Sequence, residues 1–227
     1  MKQFNIITIF PEIFNSYFSE SILKRAQEKK LIKITAHDLR KFSTATSKVH
    51  RSVDDKPYGG GPGMVLLIEP LVKALASVRN QKTEIRKQKS RVILLTPAGK
   101  TFTQRDAERL AKYDQLILLC GRYEGFDARI EKYVDEQISI GDYVLAGGEL
   151  PAMIVTEAVA RNIPGVVGHN EALNEETFSK DLDYVEYPQY SRPENYKGQK
   201  VPPVLLSGNH KEIKKWRQEQ AKKRSKK

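Results

Sequence analysis

LLCGRYEG at 118–125 and SIGDYVLAGGELP at 139–151 are the two blocks of sequence that decide the fold. The first block closes a run of apolar residues that begins after Gln115, and such a run is typical of a strand covered on both faces, as in a parallel sheet. The second block passes from a short strand through three glycines into a helix. Glu149 and Pro151 suit the first turn of that helix, because a carboxylate is stabilised by the helix dipole there and proline has no N–H to leave unpaired. Glycine loops after parallel strands are the usual ligand site of an α/β fold.

Strands and helices alternate along the chain, and this order predicts an α/β fold with a mostly parallel sheet. Alternation alone predicts an ordinary doubly wound topology, because knotted chains are very rare. Phe14, Tyr17 and Phe18 have helical spacing near the N-terminus, so their side chains are expected in the core. The predicted strands cover 3–10, 31–36, 92–95, 115–120 and 136–140, and the predicted helices cover 69–78, 103–112, 127–134, 151–162 and 211–223, with a further helix that opens at 11.

Other glycines in the chain do not form a standard nucleotide fingerprint. The run Gly59–Gly63 does not extend to G-x-G-x-x-G, because Met64 and Leu66 occupy the positions where the next glycine would fall. Residues 99–101, Gly-Lys-Thr, look like the end of a P-loop, but Leu94 stands where the first glycine of that motif should be. The chain is therefore predicted to be neither a Rossmann dehydrogenase nor a P-loop NTPase.

Composition narrows the class of protein further. The chain has 227 residues, which suits one core domain with a small appendage. Its single cysteine, Cys120, forms no internal disulfide and is expected to be a small buried residue, and four scattered histidines give no metal site. No apolar run reaches the roughly 18 residues that a membrane helix needs, and the N-terminus has no signal-peptide pattern. A cytoplasmic location with no membrane partner is the expectation.

The net charge of +11 is concentrated in two short segments. Lys211–Lys227 contains nine lysines and arginines against two glutamates, and Arg79–Arg91 contains six against one. The rest of the chain is close to neutral, so the positive field is local. Local basic patches suit a polyanion such as nucleic acid, although a solvated helix face and a disordered basic tail would have the same composition.

Longer strings in the same order resemble the bacterial tRNA (guanine-N1)-methyltransferases of the TrmD type, within the SPOUT or α/β-knot class. The resemblance covers nearly the whole chain, from Asn5 to Arg217, and rests on several ordered strings and not on one short motif. The strings are SVDDKPYGGGPGM (52–64), CGRYEG (120–125), SIGDYVLAGGELPA (139–152), IPGVVGH (163–169), YSRPENY (190–196) and VPPVLLSGNH (201–210).

The resemblance implies a deep C-terminal trefoil knot, tied after about Val92, and a small helical C-terminal domain. It divides the chain into an S-adenosylmethionine-binding domain at 1–164, a flexible linker at 165–200 that carries a catalytic acid, and a short basic tRNA-binding region at 201–227. The reaction it implies is methyl transfer from S-adenosyl-L-methionine to N1 of the guanosine at tRNA position 37, by a homodimer that does not bind DNA.

Two side chains are implied for the chemistry on the guanine. N1 carries a proton that has to leave, so a general base is needed there, and a cation is needed near the guanine oxygen. Glu176 stands at the family's base position, with Glu175 as an adjacent competitor, and Arg161 matches the family's catalytic arginine. Arg161 could instead only satisfy the C-terminal carbonyls of its helix. The residues implied for holding the substrate are Asp55, Tyr58, His169 and Asp183.

The resemblance also assigns the methyl-donor pocket. Glycines in that pocket allow backbone N–H and C=O groups to approach the adenosine. Glu124 could oppose the positive sulfonium, or it could simply form a salt bridge with Arg122. The donor-binding residues implied are Pro97, Gly121, Glu124, Ile140, Gly141, Asp142, Tyr143, Val144, Leu145, Gly147, Gly148 and Pro151.

Two rival functions stay open at this point. The first is a non-catalytic basic RNA-binding protein that keeps the fold, which the intact glycine strings disfavour. The second is a related methyltransferase that acts on ribosomal RNA, which the CGRYEG and GDYVLAGGELPA strings disfavour. Titration with S-adenosylmethionine distinguishes the first rival, and mapping of the modified nucleotide distinguishes the second.

Overall fold

The structure is a computed structural model of the chain, and it describes residues 1–44, 51–79, 89–168, 177–178 and 185–225. The chain forms two compact units, Met1–Gly168 and His169–Lys227. Among the described residues, none of the helices combines the length and the apolar character needed to span a membrane.

A five-stranded parallel sheet organises the first unit, as the alternation of strands and helices predicts. Its strand order is β2-β1-β6-β5-β7, and every neighbouring pair is parallel. β6 is central and all six of its residues are buried, which confirms the reading of its apolar run as a strand covered on both faces. The strands of this sheet are β1 (Lys2–Thr8), β2 (Ile32–Asp38), β5 (Ser90–Thr101), β6 (Gln115–Cys120) and β7 (Glu136–Ser139), and a separate short ladder pairs β3 (Asp54–Asp55) with β4 (Val65–Leu66).

Helices cover both faces of the sheet and produce two apolar cores. One core contains Phe4, Leu118 and Val155, and the other contains Ile7, Leu71 and Ile117. Alternate residues of one strand thus enter opposite cores, as the two-residue period of a strand requires. The helices of this unit are α1 (Asn15–Phe18), α2 (Ser21–Glu28), α3 (Ile68–Arg79), α4 (Gln104–Leu110) and α5 (Glu149–Arg161).

Two of the predicted helices are wrong in form. The helix expected from Pro11 is a 3-10 turn, Pro11–Phe14, followed by the short α1 and then by α2, because Glu20 adopts an extended conformation that breaks the helix. Phe14 and Phe18 are in the core as expected, but Tyr17 is exposed. The helix expected at 127–134 is a 3-10 helix, Ala128–Tyr133.

Local capping fixes the start of α4, which was predicted at 103–112. The Thr103 hydroxyl accepts from the Asp106 N–H, and the Asp106 carboxylate accepts from the Thr103 N–H, so both halves of the capping box are formed. Burial alone would raise the pKa of Asp106, but hydrogen bonds from Lys100, Thr103 and Arg109 lower it below its usual value.

β5 is longer than predicted and its pairing with β7 is irregular. Leu95 and Lys100 both pair with Ile138, so the four residues between them leave the ladder. Gly99 lies in this excursion, and a Cβ there would stand 2.5 Å from the backbone nitrogen of Ile138. Only glycine allows the chain to pass β7 so closely.

The second unit contains mostly short elements. A two-stranded ladder joins β8 (Asn195–Tyr196) to β9 (Gln199–Lys200), and α6 (Pro203–Leu206) precedes α7 (His210–Ser225). The Asn209 side chain accepts from the Glu212 N–H at 3.3 Å and so caps the start of the last helix. Tyr190 packs against Trp216, and the Arg217 guanidinium lies over the Tyr187 ring.

Candidate functional site

A cavity of about 410 Å³ opens at the carboxyl ends of β5, β6 and β7. Its walls come from residues 96–98 of the β5 excursion, from the loop 121–126 after β6 and from the loop 140–148 after β7. These are the positions where the glycine blocks predict a ligand site. Pro151, in the first turn of α5, also lines the cavity.

The two glycine loops contact each other directly through their backbones. The Gly148 N–H donates to the Gly121 carbonyl at 2.9 Å, and Arg122 pairs with Gly147 in an isolated antiparallel bridge. A Cβ on Gly148 would lie 2.7 Å from the Cys120 Cα, and a Cβ on Gly121 would lie 2.8 Å from the Phe126 ring. Glycine is therefore required at these positions by close approach, and the cavity wall is made largely of backbone.

A buried ion pair holds the same two loops together. The Arg122 Nε donates to the Glu149 carboxylate at 2.9 Å, and the Thr8 hydroxyl donates to its other oxygen at 2.7 Å. Glu149 is 1% exposed and Thr8 is fully buried. The Arg122 guanidinium also lies over the Phe10 ring, 4.7 Å from its centroid. Arg122 therefore pairs with Glu149, so the suggested Arg122–Glu124 salt bridge is not the pairing that the structure contains.

Cys120 ends β6 beneath these loops and is 2% exposed. Burial first, and then the nearby Glu149 carboxylate, raises the pKa of its thiol well above the usual value. A thiol held in its neutral form is a poor nucleophile, so Cys120 acts as the small buried residue that its sequence context predicts.

The glycine-rich loop at 59–63 reaches the rim of the cavity through the segment that follows it. The Glu124 N–H donates to the Met64 carbonyl at 3.0 Å, and the Leu66 N–H donates to the Gly125 carbonyl at 2.9 Å. Gly63 has a φ of +86°, and a Cβ there would stand 2.5 Å from the Glu124 side chain. Glu124 thus lies between the cavity and the glycine-rich loop.

Eleven of the twelve residues assigned to the methyl-donor pocket line this one cavity. Asp142 is the exception. It does not line the cavity, although Gly141 and Tyr143 on either side of it do. Gly141 has a φ of +143°, and a Cβ on it would lie 2.6 Å from the Tyr143 ring, so its glycine is required by conformation and by space. The eleven are Pro97, Gly121, Glu124, Ile140, Gly141, Tyr143, Val144, Leu145, Gly147, Gly148 and Pro151.

The other assigned residues that the structure describes are not in the cavity wall. Arg161 is the last residue of α5 and is half-buried. Asp55 is exposed at the end of β3, and the Tyr58 side chain is fully exposed in the following turn. Glu176, Glu175, His169 and Asp183 lie outside the described residues.

Sequence reasoning placed Glu149 only as a helix-dipole residue and missed its pairing role, and it did not single out Thr8 at all. Thr8 and Glu149 are 141 residues apart, so no local pattern connects them. One available clue was a threonine directly after the apolar Ile6 and Ile7 of β1, where a buried hydroxyl needs a partner.

A glycine-walled cavity at the carboxyl edge of a parallel sheet is the arrangement in which α/β proteins usually hold a small ligand. A family model described as "tRNA (Guanine-1)-methyltransferase TrmD" matches residues 1–227. The chain belongs to this family.

Three relatives illustrate the similarity, and each is named a tRNA (guanine-N(1)-)-methyltransferase. The protein from Dictyoglomus turgidum is 49% identical over 225 residues, which is 99% of this chain and 87% of the relative. The protein from Heliobacterium modesticaldum is 48% identical and covers 97% of this chain and 80% of the relative. The protein from Ruminiclostridium cellulolyticum is 47% identical, with coverage of 96% and 91%.

Proposed function

We propose that this protein transfers a methyl group from S-adenosyl-L-methionine to N1 of a guanosine in tRNA, at position 37 beside the anticodon. The observation that carries the proposal is the glycine-walled cavity, in a chain that belongs to the tRNA (guanine-1)-methyltransferase family along its whole length. Neither rival reading, a non-catalytic RNA-binding protein or a methyltransferase for ribosomal RNA, has a specific observation in its favour.

The cavity fits the donor in size and in chemistry. Its volume of about 410 Å³ lies in the range of cofactor pockets. The glycine-rich loops allow a ligand to approach the backbone of the wall closely, and Glu124 supplies a carboxylate at the rim. The bound donor supplies a methyl group on a sulfonium, which needs no activation by the protein.

The protein's own chemical task is the proton on N1 of the guanine. A carboxylate general base accepts this proton, and Glu176 is the proposed base, with Glu175, Asp181 and Asp183 as the neighbouring acids to be tested against it. Negative charge develops at the guanine oxygen as the proton leaves, and the Arg161 guanidinium is proposed to donate to that oxygen in a fork.

Single-turnover methylation tests these two roles. Glu176→Gln and Arg161→Ala are each expected to lower the rate by roughly 100-fold or more and to leave donor affinity nearly unchanged. Glu175→Gln is the matched control, because it changes the adjacent carboxylate in the same way. Full rate in Glu176→Gln together with a slow Glu175→Gln would move the base by one residue.

Methylation of unmodified tRNA transcripts tests the function itself, with the modified base located by mass spectrometry. One methyl group at N1 of guanosine 37 is the expected product. Modification of ribosomal RNA alone, or donor binding without any methyl transfer, would contradict the proposal. The two basic segments, Arg79–Arg91 and Lys211–Lys227, are proposed to hold the phosphates of the tRNA.

We also infer a homodimer, from a row of exposed apolar side chains in the first unit. Leu150 and Ile154 lie one turn apart on α5, and they are 53% and 45% exposed. The same helical face continues through Glu157 to Arg161, and the Tyr17 hydroxyl donates to Glu157. A second copy packed on this row would cover apolar surface next to the proposed functional arginine.

Mixing of inactive subunits tests the dimer. If the donor cavity and Arg161 of one site come from different chains, combining Gly141→Val with Arg161→Ala subunits restores part of the activity. Light scattering at micromolar concentration is expected to give twice the chain mass. An active protein of monomeric mass would contradict the proposal.

The finer topology that we propose is a trefoil knot tied after about Val92, together with a helical C-terminal domain. The knot is supported by the strand order β6-β5-β7 together with the Gly148–Gly121 hydrogen bond, because the loop after β7 has to cross the end of β5 to contact the loop after β6. The division into 1–164, a linker at 165–200 and a tRNA-binding region at 201–227 is part of the same proposal, and α6 and α7 lie in the last of these segments.

A further inference from the structure

A second cavity, of about 340 Å³, lies at the β1–β2 edge of the sheet. It is bounded by the two strands, by the 3-10 helix Leu39–Phe42 and by α3. Among the described residues, none of those assigned to donor, guanine or tRNA lines it. The lining residues are Gln3, Asn5, Lys33, Thr35, Ala36, His37, Asp38, Lys41, Phe42 and Ser77.

The register of the two strands makes this surface polar. Gln3 pairs with Lys33, and Asn5 pairs with Thr35. These residues are on the same face of the sheet as Ile7, which enters the core that contains Leu71 of α3. On this face of β1, Gln3 and Asn5 are therefore polar and Ile7 is apolar. Polar residues are ordinary on the edge strand β2, but the buried Asn5 lies on an inner strand, where apolar residues dominate.

Asn5 gives the strongest indication that the cavity is built for a ligand. Its side chain is 4% exposed, and its Oδ1 lies 2.9 Å from the His37 Nε2. Because Oδ1 can only accept, His37 donates from Nε2. The Asn5 Nδ2 has no hydrogen-bond partner within the part of the chain that the structure describes. An unmatched buried amide donor costs about 1–3 kcal/mol, so an acceptor in the cavity would recover that energy.

The charges around the cavity indicate that this acceptor is an anion. Lys33 and Lys41 are exposed at its rim, and Asp38 is occupied locally, because its carboxylate accepts from the Arg40 N–H at 2.9 Å. The Thr35 and Ser77 hydroxyls add neutral donors. Several donors with two ammonium groups match the oxygens of a phosphate.

We propose that the cavity between β1, β2 and α3 is a second binding site, which takes a phosphate ester of nucleotide size through Asn5, Lys33 and Lys41. Its volume falls at the lower end of the range for small-ligand pockets, which suits one nucleotide. The phosphate could belong to a free mononucleotide or to an RNA strand. The proposal does not depend on the methyl-transfer function.

NMR of the histidine rings in the full-length protein tests the site. Uridine 5′-monophosphate, uridine and a short oligouridylate are the probes, because uridine nucleotides do not share the adenine of the methyl donor. The His37 signal, identified by its loss in His37→Gln, is expected to shift saturably with the monophosphate and not with uridine. A saturable shift with the oligouridylate alone would assign the phosphate to RNA and would still support the site.

A charge-matched pair of variants makes the test specific. Lys33→Glu/Lys41→Glu reverses the two rim charges, whereas Lys24→Glu/Lys29→Glu makes the same change at exposed positions in or next to α2, which packs on the opposite face of the sheet. The first variant is expected to lower the affinity for uridine 5′-monophosphate by at least about tenfold, and the second by less than about twofold. Equal weakening in both variants, or no His37 shift with either phosphate probe, would overturn the proposal.

Discussion

The two cavities of the first unit lie on the same sheet but are built in different ways. The cavity at the ends of β5, β6 and β7 has walls of loop backbone, brought together by glycines such as Gly121 and Gly148. The cavity at the β1–β2 edge has walls of side chains on regular strands, such as Asn5 and His37. Backbone walls are rigid and tolerate no added atoms, whereas side-chain walls are specified by charge and hydrogen bonding. Mutations should therefore act on the two cavities through different physical terms.

The largest expected effect is on stability, when the Arg122–Glu149 ion pair is removed from beside the cavity at the ends of β5, β6 and β7. We call this the backbone cavity, and we call the cavity at the β1–β2 edge the side-chain cavity. Glu149→Gln leaves the largely buried Arg122 guanidinium with a neutral partner, so the free energy of unfolding should fall by up to about 3 kcal/mol. Urea unfolding measures this change. Glu108→Gln, in the surface ion pair with Arg105 on α4, is the control and should cost less than about 1 kcal/mol. Similar losses in both variants would mean that the buried pair adds nothing special.

The next effect separates the two cavities. Gly148→Ala places a Cβ 2.7 Å from the Cys120 Cα, so the loops have to move apart and donor affinity should fall by roughly 5- to 150-fold. Calorimetric titration with S-adenosylmethionine measures the loss. Gly168→Ala is the control, because that glycine has no heavy atom near its Cβ position and no unusual φ. Binding of uridine 5′-monophosphate should stay the same in both variants. If it weakens in Gly148→Ala, the two cavities are coupled.

The smallest effect is a pH dependence from the side-chain cavity. Burial first, and then the Lys33 and Lys41 charges, lowers the pKa of His37 below its usual value of 6.5. The unfolded chain then binds the proton more readily than the folded chain. Stability is therefore complete above about pH 6.5 and falls as the pH decreases from there towards the lower folded-state pKa.

His37→Gln checks this sign, because glutamine retains an N–H donor for Asn5 but does not titrate. Between pH 8 and pH 5, the unfolding free energy of the wild type should fall by more than that of His37→Gln. Equal losses would show that His37 titrates alike in the folded and unfolded chains.

The backbone cavity was predictable from sequence and the side-chain cavity was not. The runs around Gly121 and Gly147 are local, and a glycine after a buried strand has few structural alternatives. The contact between Asn5 and His37 depends on the register of two strands, which single residues do not encode. The charge pair of Arg122 with Glu149 depends in the same way on how two loops meet.

Periodicity failed where the local backbone opposed it. Phe14 and Phe18 keep the spacing of one helical face, and both are buried, but the helix they suggested breaks at the extended Glu20. Tyr17 was expected inside because it is an aromatic residue with the helical spacing of Phe14 and Phe18, and its hydroxyl donates instead to Glu157 on the exposed side. Aromatic character alone does not distinguish a core from an exposed contact surface.

The position of β1 has a consequence for the newly made chain. β1 is almost the first segment to be synthesised, yet one of its two neighbours is β6, and Gln3 pairs with Gln115. At 5–20 residues per second, a ribosome needs roughly 6–20 s to make the residues between these two strands. During that interval one edge of an apolar strand has only foreign partners. The nascent protein is therefore expected to need chaperone protection early in its synthesis, and to lose that need once β6 has emerged.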